Sequence, residues 1–329
     1  MILATDSLSI NILIFVIGLG ILIKGSDWFV DAAAYIAHHY KIPDIIIGLT
    51  LVSVGTSLPE LATNLYASSN NEGSIVLGNV IGSNITNICL VLGIGVLCAG
   101  SNGMSICTRV FRRDGMVMLS LFCIYALLAY GVNDVDVLTR QDGLILLLLG
   151  IAYTVYLLLT SPKKDLEDEA VEGELAFKTL GSSILFLILG MIMVSAGAKT
   201  MVDTVVQTAV DFNISKGVIA ATVVAFGTSV PELAVTITSV RKNNNDLALG
   251  NILGSCIFNL VLVLSISSLV APISMPAEMI NVINPMMLVS GVVLIVAMKN
   301  GWRLVRTEGV VLLLLYAGFV MYNIRNISL

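Results

Sequence analysis

The chain has 329 residues, 57% hydrophobic and 12% charged, with a mean hydropathy of +0.96 and a formal net charge of −5. Soluble domains carry about 25% charged residues, so this composition excludes an ordinary water-soluble fold. H-E-x-x-H and G-x-S-x-G are both absent, and no pair of aspartates lies deep in an apolar run, which argues against a membrane-embedded hydrolase and for a protein that is not an enzyme.

A bilayer-crossing helix needs roughly 20 mostly apolar residues. Such runs predict ten spans: 8–28, 42–69, 74–98, 113–132, 142–160, 178–198, 213–240, 245–271, 279–298 and 307–324. The expected fold class is an all-α polytopic membrane protein with the lipid bilayer as its surroundings. The N-terminal stretch lacks the basic region of a signal peptide, so the first span is expected to stay in the mature protein. Lys24 within it is expected to snorkel, and Trp28 and Trp302 suit the membrane interface. Asp31 and Asp203 are read as structural residues near helix ends. His38 and His39 are adjacent, and the five cysteines show no ligand spacing, so packing is their expected role and no cofactor is implied. Between the fifth and sixth spans, "SPKKDLEDEAVEGELAF" (161–177) reads as an acidic, solvated cytoplasmic linker without an EF-hand pattern. Lys and Arg cluster in alternate connections, as in Arg109, Arg112 and Arg113, Arg241 and Lys242, and Lys299, Arg303 and Arg306. The opposite connections hold Arg140, Lys199, Lys216 and Arg325. The positive-inside rule then puts both termini outside.

Shifted by 172 residues, the sequence lies on itself without a gap. "VGTSLPELA" (54–62) meets "FGTSVPELA" (226–234), and "LGNVIGSNITN" (77–87) meets "LGNILGSCIFN" (249–259). Between Gly25 and Leu92, 26 of 68 aligned positions are identical, many of them Gly, Thr, Ser, Pro, Glu and Asn, which hydrophobicity alone does not select. Five spans per half reverse the sense of the second half in the membrane. The expected architecture is therefore two inverted five-helix repeats, 1–160 and 178–329, with a site between them near the bilayer midplane.

Pro59 and Pro231 lack an N–H, so each withdraws the helical partner of the carbonyl four residues earlier, at Gly55 and Gly227. Irregular backbone in a membrane must be buried in protein or line a cavity. A charged group at mid-bilayer costs about 2.5–3.5 kcal/mol on insertion scales and marks an ion or substrate path, which singles out Glu60 and Glu232. Thr56, Ser57, Thr228 and Ser229 add neutral oxygens. Ser83 with Asn87, and Ser255 with Asn259, fall at i and i+4 on one helix face, while Gly82 and Gly254 are expected to let helices approach closely. This all-oxygen set points to calcium, sodium or magnesium, with calcium the best fit to two carboxylates and flexible geometry.

These residues resemble the cation/calcium exchanger superfamily, in particular the prokaryotic members of its sodium/calcium exchanger branch, and the likeness runs from the first span to the tenth. The resemblance implies an antiporter that exports calcium as sodium enters. It implies calcium at Glu60, Glu232 and the backbone oxygens of Thr56 and Thr228. Sodium would use Ser57, Ser83, Ser229, Ser255, the backbone oxygens of Ser53 and Ala225, and the same glutamates, with Asn87 and Asn259 lining the centre. The first and sixth helices would slide to alternate access. Some relatives carry an aspartate at the position of Asn259, and Ser53 stands where a small apolar residue is usual. A prokaryotic plasma-membrane protein functioning as a monomer is expected, with transported cations as partners and no nucleic acid. A calcium/proton antiporter of the same fold is the alternative, and a channel a more distant one.

Overall fold

The computed structural model describes residues 8–100, 103–130, 137–160, 179–211, 225–275 and 279–327. The acidic linker, Lys216 and the first half of the predicted seventh span lie outside the described residues. The described helices are α1 (Leu8–His39), α2 (Asp44–Thr56 with Leu58–Ser69), α3 (Gly73–Cys98), α4 (108–129) and α5 (Arg140–Thr160). They continue as α6 (Leu180–Asp211), α7 (Ala225–Thr228 with Val230–Arg241), α8 (Asn245–Val270), α9 (Met279–Lys299) and α10 (Arg306–Ile327). Six of them, α1, α3, α5, α6, α8 and α9, are long and apolar enough to cross a membrane, and α2 is a seventh if its two pieces, bent by 45°, form one span. The described parts of α4, α7 and α10 are helical where spans were expected.

The core is built around α3 and α8. In each, 83% of the apolar window is buried, against 28% in α1, α5 and α6, which present leucines and isoleucines outward. Helix α5 packs along α8 and α10 along α3. The α2–α8 crossing is close and parallel. A Cβ on Gly48 would lie 3.0 Å from the Gly250 Cα, and one on Gly254 would lie 2.8 Å from the Ser53 Cβ. Gly82 makes no such contact: among the described residues nothing lies within 4 Å of where its Cβ would sit.

Helices α1 and α6 form the outer pair, and their crossing is self-complementary. A Cβ on Gly25 would sit 3.0 Å from the Gly190 carbonyl oxygen, and one on Gly197 would sit 2.8 Å from that of Gly18. Gly18 and Gly190 share a repeat position, as do Gly25 and Gly197. The partner numbers run down as α1 runs up, so these two equivalent helices are antiparallel. Both extend beyond their predicted ends at 28 and 198, because their charges find partners along the helix instead of ending it. Asp31 and Asp203 therefore lie within helices: Asp31 is 2.7 Å from Lys242, the residue that caps the C-terminus of α7, and Asp203 is 3.4 Å from Lys199. Ser26 and Thr238 add a 2.8 Å hydrogen bond between α1 and α7. Lys24 lies over the Trp28 ring, 5.5 Å from its centroid.

Arg113, counted as a loop charge from the sequence, is buried in α4. It donates twice to Asp114, at 2.7 and 2.9 Å, and Tyr153 of α5 donates to the same carboxylate at 3.0 Å. Of the cysteines, Cys89 and Cys256 are buried, whereas Cys98, Cys107 and Cys123 are exposed and do not pack in the core. Among the described residues, four short strands tie connections together. β1 (Met104–Ser105) pairs with β4 (Arg303–Leu304), and β2 (Val137–Leu138) with β3 (Ile273–Ser274), both antiparallel.

Candidate cation-binding site

The repeated phrase breaks two helices in the same way. Helix α2 stops at Ser57 (φ −87°, ψ 5°) and α7 at Ser229 (φ −90°, ψ 3°), and each resumes at the next residue with proline in its first turn. Proline is tolerated there because first-turn N–H groups have no intrahelical partner anyway. The restart places Glu60 and Glu232 in the first turn of a helix, where unpaired N–H groups and the helix dipole favour negative charge. Sequence-driven breakage thus puts each carboxylate at the position in a buried helix that best tolerates it.

Both glutamates are at most 1% exposed. Among the described residues, neither Glu60 side-chain oxygen has a hydrogen-bond partner. Glu232 Oε1 accepts from Ser57 at 3.3 Å, and its Oε2 has no partner among the described residues. Among the described residues, the hydroxyls of Ser229 and Ser255, the whole Asn87 amide and Asn259 Oδ1 are also buried without partners. Buried polar groups in proteins are nearly always paired, and an uncompensated buried charge is costly. Most of these orphans are oxygen lone pairs, which a desolvated cation can accept together. Their repeat positions come from both halves.

The other predicted residues fall as follows. Ser83 and Thr228 are hydrogen-bonded across the halves at 3.3 Å. The single Thr56 hydroxyl proton has three acceptors within reach: the backbone oxygens of Val52 at 3.2 Å and Ser53 at 3.3 Å, and Asn251 Oδ1 at 3.2 Å. The Ser53 hydroxyl is held by the Leu49 carbonyl at 2.8 Å, so the extra hydroxyl at this position is already occupied. Ala225 opens the described part of α7. Asn259 donates to Asn84 Oδ1 at 3.0 Å. Asn87 and Asn259 each begin a π-turn, Asn87–Val91 and Asn259–Leu264, a local widening often found at functional sites. No direct hydrogen bond joins Asn87, Ser255 or Asn259 to either carboxylate among the described residues.

Three asparagines were missed from the sequence. Asn79 accepts from Thr228 at 3.1 Å, Asn251 accepts from Thr56, and Asn84 orients Asn259. Asn79 and Asn251 share a repeat position, and that identity was the available signal. Asn84 aligns with Cys256, so the repeat gave no signal for it.

The family model described as sodium/calcium exchanger protein matches residues 10–159 and 182–325, on either side of the acidic linker. The sodium/calcium exchanger MaX1 of Methanosarcina acetivorans is 32% identical over 95% of this chain and 98% of its own length. The inner membrane protein YrbG of Escherichia coli is 34% identical over 79% of each chain. A solved structure of the sodium-calcium exchanger NCX_Mj superposes with a TM-score of 0.81 at 31% identity, covering 94% of this chain and 97% of that one. The chain therefore belongs to the sodium/calcium exchanger protein family, a family of multi-pass membrane antiporters and not of enzymes.

Proposed function

We propose that this chain is a secondary-active antiporter that extrudes calcium as sodium enters, through a midplane site between two inverted five-helix repeats, 1–160 and 178–329. The observation that carries the reading is the pair Glu60 and Glu232: related by the repeat, fully buried at two helix restarts, and short of hydrogen-bond partners. Two carboxylates neutralise one calcium, and the backbone oxygens of Thr56 and Thr228 complete its shell. Sodium takes Ser57, Ser83, Ser229, Ser255 and the carbonyls of Ser53 and Ala225 together with the glutamates, and Asn87 and Asn259 line the middle. Both residues of that central layer are neutral amides, so the charge of the site rests on the glutamates.

The inverted, ten-span arrangement is supported by the antiparallel α1–α6 pair. The strand pairs support it too. In a ten-span chain the α3–α4 and α9–α10 connections share one side, and the α4–α5 and α8–α9 connections share the other, as the β1–β4 and β2–β3 ribbons require. In this reading both termini face outward and the acidic linker lies in the cytoplasm of a prokaryote.

Radioactive calcium uptake into proteoliposomes loaded with sodium and diluted into sodium-free buffer tests the function. Uptake is expected to require internal sodium and to vanish in Glu60→Gln and Glu232→Gln. Uptake driven only by an imposed pH gradient would reassign the coupling ion to the proton, and calcium flux without any counter-gradient would identify a channel.

A further inference from the structure

Asn79 in α3 and Asn251 in α8 occupy one repeat position and are both buried. Their acceptor sides are alike: each takes a hydrogen bond from the threonine of the opposite half, Thr228 at 3.1 Å and Thr56 at 3.2 Å. Their donor sides differ. Asn251 Nδ2 reaches Thr236 Oγ1 at 3.3 Å and the Glu232 carbonyl at 3.4 Å, which ties the α2 break to the residue that carries the second carboxylate. The repeat position of Thr236 is held in the first half by Asn64 of α2. There Asn79 Nδ2 and Asn64 Oδ1 are both buried with no partner among the described residues, a donor and an acceptor left open on two packed helices. Asn64 instead turns its own Nδ2 back to the Glu60 carbonyl at 2.9 Å. A bound cation does not account for the orphan Asn79 Nδ2, because an amide nitrogen donor offers it no lone pair. A second pair has the same one-sidedness. Ser57 donates to Glu232, while the equivalent Ser229 hydroxyl and both Glu60 oxygens are unpartnered.

We propose that Asn79 and Asn251 are positioning residues of the exchange site whose amide donors close alternately. In the state seen here Asn251 is closed on Thr236 and the Glu232 carbonyl, and in the oppositely facing state Asn79 closes on Asn64. The inference rests on the exchange reading, in which two inverted halves trade conformations. Every hydrogen bond lost by one half is then regained by the other, so the two states stay close in energy and a modest difference in ion binding is enough to move between them.

The test uses full-length protein reconstituted in a single orientation, with half-saturating calcium measured from each face. Thr236→Val removes the acceptor of the closed clamp, and Asn64→Leu that of the open one. The ratio of the two half-saturation values is expected to move about fivefold in opposite directions in these variants, the effect of one net hydrogen bond on a two-state equilibrium. Asn64→Thr copies the second half and is expected to return the ratio toward the wild-type value. If Asn64→Leu does not purify as a single folded species, Asn64→Ala carries the same prediction. Shifts in the same direction, or an unchanged ratio with equal losses at both faces, overturn the proposal. Wild-type protein that exchanges no calcium would sink the exchange reading itself, an outcome read before any variant is compared.

Discussion

Glu60 and Glu232 are held at helix N-termini, where the dipole is worth about 0.3–2 kcal/mol to an anion, while an unpaired buried charge costs several times that. In the proposed function, a bound cation supplies the difference. Glu60→Gln and Glu232→Gln are therefore expected to lower calcium uptake on the order of 100-fold or more while leaving thermal stability in ion-free detergent unchanged or higher. Calcium at about 100 times its Kd is expected to stabilise the wild type by roughly 2.7 kcal/mol, read as a raised melting temperature that the Gln variants lose. The carboxylates were legible in the sequence because hydrophobicity does not explain a glutamate repeated in an apolar run. The Ser53 hydroxyl is satisfied locally, by the Leu49 carbonyl one turn back in the same helix.

At the scale of elements, the two breaks decide what the site exposes. Pro59→Ala and Pro231→Ala restore an N–H that can reach the carbonyls of Gly55 and Gly227. Straighter, more regular helices are expected, with half-saturating calcium raised about tenfold and little loss of folding stability, measured by uptake kinetics alongside thermal melts. The α1–α6 crossing is the element most sensitive to volume. Gly190→Leu drives a side chain toward the Phe29 backbone nitrogen, which lies 2.7 Å from the glycine's would-be Cβ. Overpacking of this kind costs typically 1–3 kcal/mol, and transport is expected to fall with binding largely retained, because the glutamates are not in this helix pair. Break positions could be read from proline and glutamate together. Helix lengths could not: Asp27, Asp31, Lys199 and Asp203 interrupt the apolar runs, and only their ion pairs show that α1 and α6 continue. The π-turns at Asn87 and Asn259 were equally silent, since no residue type marks them.

For the molecule as a whole, the repeat does not show where the equivalence of its two copies ends. Lys242 links α7 to Asp27 and Asp31 of α1 at 3.6 and 2.7 Å, and its repeat position in the first half is Asn70, which cannot form the same ion pair. Half-exposed pairs are worth about 0–1 kcal/mol. Lys242→Gln is thus expected to shift the balance between the two faces by no more than about fivefold, an effect that raised ionic strength reproduces in part in the wild type. The shared site also sets a schedule for synthesis. Ser57 and its partner Glu232 are 175 residues apart, so at ~5–20 residues per second the first half waits on the order of 10–35 s in the bilayer before the second can cover its carboxylate. Residues 1–160 made alone are expected to be cleared by membrane proteases, and co-expression with 161–329 is expected to rescue them, which places the vulnerable moment of this protein's life at the ribosome and not in the transport cycle.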